Sequence, residues 1–351
     1  MGILSFSYED YSGWKLHEMS LGGMNLLVGH SGAGKTKILR ALQTICQSAG
    51  KQPKLVSSSW SIKIRIDGNY YSWNAQVESD LGSGHFLAET VLLNDKELLF
   101  RQVDGAVSRF KGDALPKLSN SFSVLALLDN EDEISPLLNV FNGIVFVDNF
   151  NNNYYIDVPS GSFSSFEELR LTVAENLYNR VYFMNKYFPD EFNLVGSQFI
   201  EIFPTVKSIM VMEIFQYWSL NIVEQGVDNV ISVRESSSGM YKTLMFLFEL
   251  HLVPPGSVIL LDEIENSLGV NCLDQVVSAA MERAGEVQFV LTSHHPYVIN
   301  NIPHKYWKLV RRHGSEVTVV DATEIRALNT ASSHDRFMQL LNAPEFEEGI
   351  S

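Results

Sequence analysis

Met24-Asn25-Leu26-Leu27-Val28, then Gly29-His30-Ser31-Gly32-Ala33-Gly34-Lys35-Thr36, then Ile38, Leu39, Ala41, Leu42 and Ile45 at helical spacing form the most constraining stretch of the chain. A strand, a turn of pattern G-x-x-x-x-G-K-[ST] and a helix must follow one another. The glycines allow a tight turn that brings backbone N–H groups to face an anion, and the helix N-terminus adds partial positive charge. Lys35 would reach β- and γ-phosphates, and the Thr36 hydroxyl would ligate Mg²⁺. The stretch therefore predicts binding of a nucleoside triphosphate with Mg²⁺.

The 351 residues, 45% hydrophobic, suffice for one large domain or two modest ones. No run of 18 apolar residues occurs, and no basic segment precedes an apolar one at the N-terminus, so the expectation is a cytoplasmic chain with no membrane partner. Cys46 and Cys272 lie far apart in apolar-periodic segments and read as two buried reduced thiols. A net charge of −15 disfavours a surface that neutralises many phosphates. DNA stays a possible partner that the charge does not favour. The densest basic cluster, Lys305, Lys308, Arg311 and Arg312, reads as a solvated strand and its flanks.

Beyond the first helix the pattern alternates. Ile62, Ile64 and Ile66 lead to Asp67-Gly68, followed by Tyr71, Trp73, Ala75 and Val77, a hairpin signal. Leu98, Phe100 and Gln102 lead to Asp104-Gly105, then Val107 and Arg109, a second pair. Residues 122–128 read as a helix and 143–147 as a buried strand. Residues 166–187 and 205–223 carry apolar residues at three- and four-residue intervals, interrupted by Pro189 and Pro204, which predicts broken helices rather than a long heptad arm.

Two motifs lie further on. Val258-Ile259-Leu260-Leu261-Asp262-Glu263 is a buried strand delivering carboxylates to its C-terminal edge, where nucleotides bind in open α/β sheets. Asp262 would hold Mg²⁺, and Glu263 would orient and deprotonate the attacking water. After a helix over 273–284, a strand over 287–291 ends in Thr292-Ser293-His294-His295-Pro296. Strand, helix and strand set the histidine on the neighbouring strand, within reach of the γ-phosphate or the water. Before these, Glu235-Ser236-Ser237-Ser238-Gly239-Met240 opens an apolar helix, offering hydroxyls and N–H groups to an anion, or an ordinary N-cap.

The order of phosphate loop, Ser-Ser-Gly segment, Asp-Glu strand and strand-end histidine resembles the nucleotide-binding heads of the ABC-type ATPase superfamily. In detail it looks like the stand-alone AAA/OLD and RecF-related branch, in Ser236-Ser237-Ser238-Gly239-Met240, in Asp262-Glu263-Ile264-Glu265-Asn266-Ser267-Leu268, and in Thr292-Ser293-His294-His295-Pro296. That resemblance implies an α/β fold: a phosphate-loop head with a mostly parallel core sheet, an inserted antiparallel β lobe and a helical insertion. The expected organisation is an ATPase core over 1–52, 119–160 and 227–330, a β lobe over 53–118, a helical insertion over 161–226 and a tail over 331–351. Two copies would close head to tail on two ATP molecules, or form a higher oligomer. Ser237, Ser238, Gly239 and Met240 of one copy would approach the γ-phosphate held by Lys35 of the other, residues 265–268 would cross the interface, and His294 rather than His295 would be the switch histidine.

After His294 no acidic cluster sits on strand ends as a TOPRIM nuclease needs, and no zinc, HNH or serine-hydrolase arrangement occurs. The expectation is a head alone, an ATPase regulating a separately encoded nuclease or toxin in anti-phage defence. The alternatives are a RecF-like repair ATPase that clamps DNA and a nucleotide-gated scaffold with little turnover. The tail, Ser332-Ser333-His334-Asp335-Arg336-Phe337 through Glu345-Phe346-Glu347-Glu348, reads as a solvated terminal helix or an interaction segment.

Overall fold

Alternation and helical spacing sort the chain into elements that a computed structural model describes over residues 1–80, 83–102, 107–147, 156–173, 175–266, 270–325, 328, 338–340 and 346. The strands are β1 Gly2–Asp10, β2 Lys15–Ser20, β3 Met24–Val28, β4 Ser58–Ile66, β5 Asn69–Asp80, β6 Ser83–Leu93, β7 Lys96–Arg101, β8 Ser108–Phe110 and β9 Asp113–Ala114. They continue as β10 Ile144–Val147, β11 Ile156–Asp157, β12 Val206–Ile214, β13 Tyr217–Glu224, β14 Ile231–Ser232, β15 Val258–Leu261, β16 Gln288–Thr292, β17 Trp307–His313 and β18 Glu316–Asp321. The helices are α1 Lys35–Ser48, α2 Val124–Leu127, α3 Ser135–Asn142, α4 Phe166–Arg170, α5 Leu177–Tyr187, α6 Pro189–Ile202, α7 Ser238–Leu252, α8 Val270–Arg283 and α9 Pro296–Asn301. Two compact units result: Met1–Phe146 with Gly256–Asp262 and Gln288–Ser351, and Val147–Pro255 with Glu263–Val287.

The first unit is built on one sheet, in the order β10-β15-β16-β3-β17-β18-β2-β1-β4-β5-β6-β7-β8-β9. Its functional part is parallel: β15, β16, β3 and β17 run the same way. Strands β4 to β9 are antiparallel, and β4 pairs with β1, so the expected β lobe extends this sheet. Alternation sets the register there, with Ile62 opposite Trp73 and Ile64 opposite Tyr71, all buried. Asp67 and Gly68 both take positive φ (48° and 85°), the backbone that a two-residue hairpin turn demands. The tip at Asp104-Gly105 lies outside the described residues.

Helix α1 buries Ile38, Leu39, Leu42 and Ile45 completely. Trp73 meets Trp60 edge-on at 5.2 Å and Phe141 of α3 at 5.1 Å between ring centroids. Cys46 is buried in this core and Cys272 in the second unit. Burial pushes the Cys46 thiol pKa up, which keeps it protonated.

The second unit joins helices to a small sheet. β13 pairs antiparallel with β12 along one edge and with β11 and β14 along the other. Here the reading of 205–223 as helix is corrected: this segment is the β12–β13 hairpin. Its apolar residues fall on both parities, so a period of two and a period of three to four both fit. Val206, Ile209, Val211, Ile222 and Val223 are β-branched, which favours strand. Pro189 interrupts the helical run as expected: α5 ends at Tyr187 and Pro189 starts α6, where a first-turn proline loses no helical hydrogen bond.

Candidate functional site

Strand β3 lies between β16 and β17, and β16 between β3 and β15, all parallel and in register: Leu26 pairs with Leu291, and Leu291 with Leu261. Their C-terminal ends therefore reach one edge of the sheet. Gly29 follows β3, Asp262 follows β15, and Ser293 and His294 follow β16. In open α/β sheets this is the edge that holds ligands.

The loop is shaped by its glycines and by contacts from elsewhere in the first unit. Gly29 sits at φ 147°, and a Cβ there would come within 2.6 Å of the Val310 carbonyl oxygen. Gly34 caps α1 in the left-handed conformation, φ 105°. Lys35 is buried, and its Nζ spans the loop to donate to Gly29 O at 2.8 Å and His30 O at 2.9 Å. The Ala33 N–H donates to His30 O at 3.2 Å, while Ser31 and Gly32 are exposed and Thr36 is half-buried in the first helical turn. Arg312 Nη1 donates to Gly32 O at 3.3 Å. Lys37 pairs with Asp10 at 2.6 Å and lies 4.6 Å above the Trp14 ring, which also backs Gly34. Sequence reading did not find Asp10, Trp14 or Arg312, because each reaches the loop from a remote strand end.

At the neighbouring strand ends, Thr292 Oγ1 donates to Asp262 Oδ1 at 2.6 Å. Thr292 is fully buried and Asp262 partly so. The adjacent histidines differ in exposure. His295 Nδ1 accepts from Tyr297 N at 3.2 Å as the N-cap of α9, whereas His294 is exposed. Of the basic cluster, Lys308 is buried and donates to Asp321 and to Ser20 Oγ, so it holds β17 to its surroundings and is no surface patch.

Glu263 and the Ser237–Met240 segment belong to the second unit. Glu263 takes φ 46°, a left-handed backbone that costs a non-glycine residue about 1–2 kcal/mol. Asn266 N donates to Glu263 O at 2.7 Å and Lys242 Nζ to Asn266 O at 3.1 Å, tying this turn to α7. Ser237 is the N-cap of α7, its Oγ accepting from Met240 N at 3.2 Å. Ser238 is exposed in the first turn, Gly239 half-buried and Met240 buried. Ser267 and Leu268 of the expected interface loop lie outside the described residues, as do residues 332–337.

The donor set suits Mg²⁺ delivered with a nucleotide. Among the described residues no three His, Cys, Asp or Glu side chains cluster as a self-standing metal centre needs. The Thr36 hydroxyl and the Asp262 carboxylate are hard oxygen donors, and phosphates and waters complete such a shell.

A sequence family described as "AAA domain, putative AbiEii toxin, Type IV TA system" matches residues 96–300, which include Ser237–Met240, Asp262, Glu263 and His294. Among curated proteins none matches. Among solved structures, a SmcHead bound to the C-winged helix domain of ScpA aligns with TM-score 0.53 and 13% identity, over 91% of this chain and 97% of that one. The SMC head domain from Thermotoga maritima aligns with TM-score 0.48 and 12% identity over 92% and 99%. An Smc head with an extended coiled coil, bound to the C-terminal domain of ScpA derived from Pyrococcus furiosus, gives TM-score 0.49 and 11% identity over 91% and 95%. The α/β fold is that of the solved SmcHead. Matched over more than half its length, the chain belongs to the AAA-domain family so described.

Proposed function

We propose that this chain binds and hydrolyses ATP with Mg²⁺, closes head to tail with a second copy on the nucleotide, and thereby regulates a separately encoded effector, a nuclease or toxin, in anti-phage defence. The supporting observation is the adjacency of β15, β16 and β3, whose C-terminal ends carry Asp262, His294 and the Gly29–Thr36 loop. In this reading Lys35 turns from the Gly29 and His30 carbonyls to the β- and γ-phosphates. Thr36 and Asp262 hold Mg²⁺, which neutralises phosphate charge when bound. Glu263 orients the attacking water and takes its proton, and His294 contacts the γ-phosphate or that water. Ser237, Ser238, Gly239 and Met240 complete the site from the other copy. Nucleotide that contacts both copies favours the closed pair, and hydrolysis removes that preference. The branch that fits is the stand-alone AAA/OLD and RecF-related one. The solved SmcHead with its bound ScpA domain is a precedent for a head of this fold receiving a separate protein.

The test compares wild type, Lys35→Ala and Glu263→Gln in phosphate release and in sedimentation with ATP. Turnover is expected in wild type alone, with both variants slowed at least about 100-fold, and a dimer or larger species for Glu263→Gln. Equal rates in all three would overturn the assignment, and a monomeric Glu263→Gln would overturn closure.

A further inference from the structure

The β12–β13 hairpin of the second unit has one strand edge with no partner strand among the described residues. β12 pairs with β13 alone, while β13 is flanked on its other side by β11 and β14. Of the nine residues of β12 only Val206 is buried. An edge strand presents a row of backbone N–H and C=O groups to which another strand can pair, and proteins guard such a row with charges, prolines or bulges. On β12 the guards stand at the ends: Lys207, the extra residue where the pairing with β13 shifts register, and Glu213, both exposed. Between them Ser208-Ile209-Met210-Val211-Met212 carries no charge, proline or glycine.

The tip of the hairpin points the same way. Ile214 pairs with Tyr217, so Phe215-Gln216 is a two-residue turn, and Phe215 takes φ 56°. That backbone suits glycine and strains a bulky residue. Phe215 is also 98% exposed, so it gains nothing from the core of its own chain. Met210, Ile214 and Tyr217 are exposed apolar side chains on the same hairpin. Clustered apolar surface of this kind marks a contact with another molecule.

From the open edge and the placement of its charges we propose that β12 is an interface with a second copy of the chain, the two strands joining antiparallel about a twofold axis at Met210. The charges choose both occupant and register. With Met210 opposite its equivalent, Ile209 meets Val211, Ser208 meets Met212, and Lys207 of each copy meets Glu213 of the other. Any other register parts these charges. The same register sets Phe215 at Pro204 and Thr205 of the other copy, both exposed. The contact needs no nucleotide, which distinguishes it from the head-to-tail closure proposed above.

Sedimentation without nucleotide tests the pairing, at about 100 µM protein because nine residues a side make a small interface, and in moderate salt to screen the net charge of −15. Wild type and Lys35→Ala are both expected to form dimers. Lys207→Glu and Glu213→Lys each set like charges against one another at both ends, and each is expected to weaken self-association about tenfold. An equimolar mixture of these two variants restores opposite charges at both ends and is expected to associate as wild type does. Phe215→Gly relieves the turn, so it is expected to keep or raise the unfolding midpoint while weakening the dimer about tenfold. A monomeric wild type overturns the proposal and leaves the edge to a strand of another polypeptide. A mixture that associates no better than either variant alone, or a dimer that Phe215→Gly leaves unchanged, overturns the twofold pairing.

Discussion

Thr292 Oγ1 donates to Asp262 Oδ1 at 2.6 Å, linking the C-terminal ends of two neighbouring parallel strands. The bond engages one carboxylate oxygen, and in the proposed reading the other holds Mg²⁺. Thr292→Val keeps the shape and removes the donor. The Mg²⁺ concentration for half-maximal ATP turnover is expected to rise about 10-fold, read from magnesium titrations of phosphate release. An unchanged requirement would remove Thr292 from the site.

Gly29 holds a φ of 147° with the Val310 carbonyl oxygen against its missing side chain. Gly29→Ala must displace backbone, with an expected loss of about 2–4 kcal/mol in denaturant unfolding. Gly314→Ala is the comparison: its φ is 59° but nothing lies within 4 Å, so only conformational strain of about 1 kcal/mol applies.

Arg180 and Glu249 form a buried pair at 3.1 Å in the second unit, and Arg180 also donates to Leu252 O. Removing one partner strands the other charge. Arg180→Met is expected to cost about 3–5 kcal/mol, and Arg180→Met with Glu249→Leu markedly less. Chemical denaturation of the single and double variants measures the difference.

His251 is held near neutral form, its pKa lowered to about 4 by burial, with Arg283 and Arg170 adding repulsion. Unfolded, it titrates near 6.5. Above that pH neither state binds the proton; below it the unfolded chain takes it up first. Stability is therefore expected to fall as pH drops from about 6.5 toward 4, by about 1–3 kcal/mol. His251→Asn should flatten the unfolding free energy across that window, and an unaltered pH profile would refute the assignment.

Much of the fold was legible where the pattern is local. β3, the Gly29–Thr36 loop and α1 follow from strand, turn and helix signals, and Asp67-Gly68 with flanking alternation fixes the β4–β5 register. The β12–β13 hairpin was not legible, since Met210 and Met212 fill the face opposite Ile209 and Val211 and blur the two-residue period. His294 and His295 are equivalent as sequence neighbours. Their difference arises from a cap, the Tyr297 N–H held by His295.

By itself, then, the sequence determined the loop, its helix, the Asp262-Glu263 strand end and the apolar strand cores, because glycine conformation, helix periodicity and burial are short-range constraints. Only the tertiary structure decided that β3 lies beside β16, and that Thr292 holds Asp262. It also decided that Arg312 and Trp14 brace the loop. Those contacts join residues far apart in the chain, and strand order is set by packing a whole sheet rather than by any single segment.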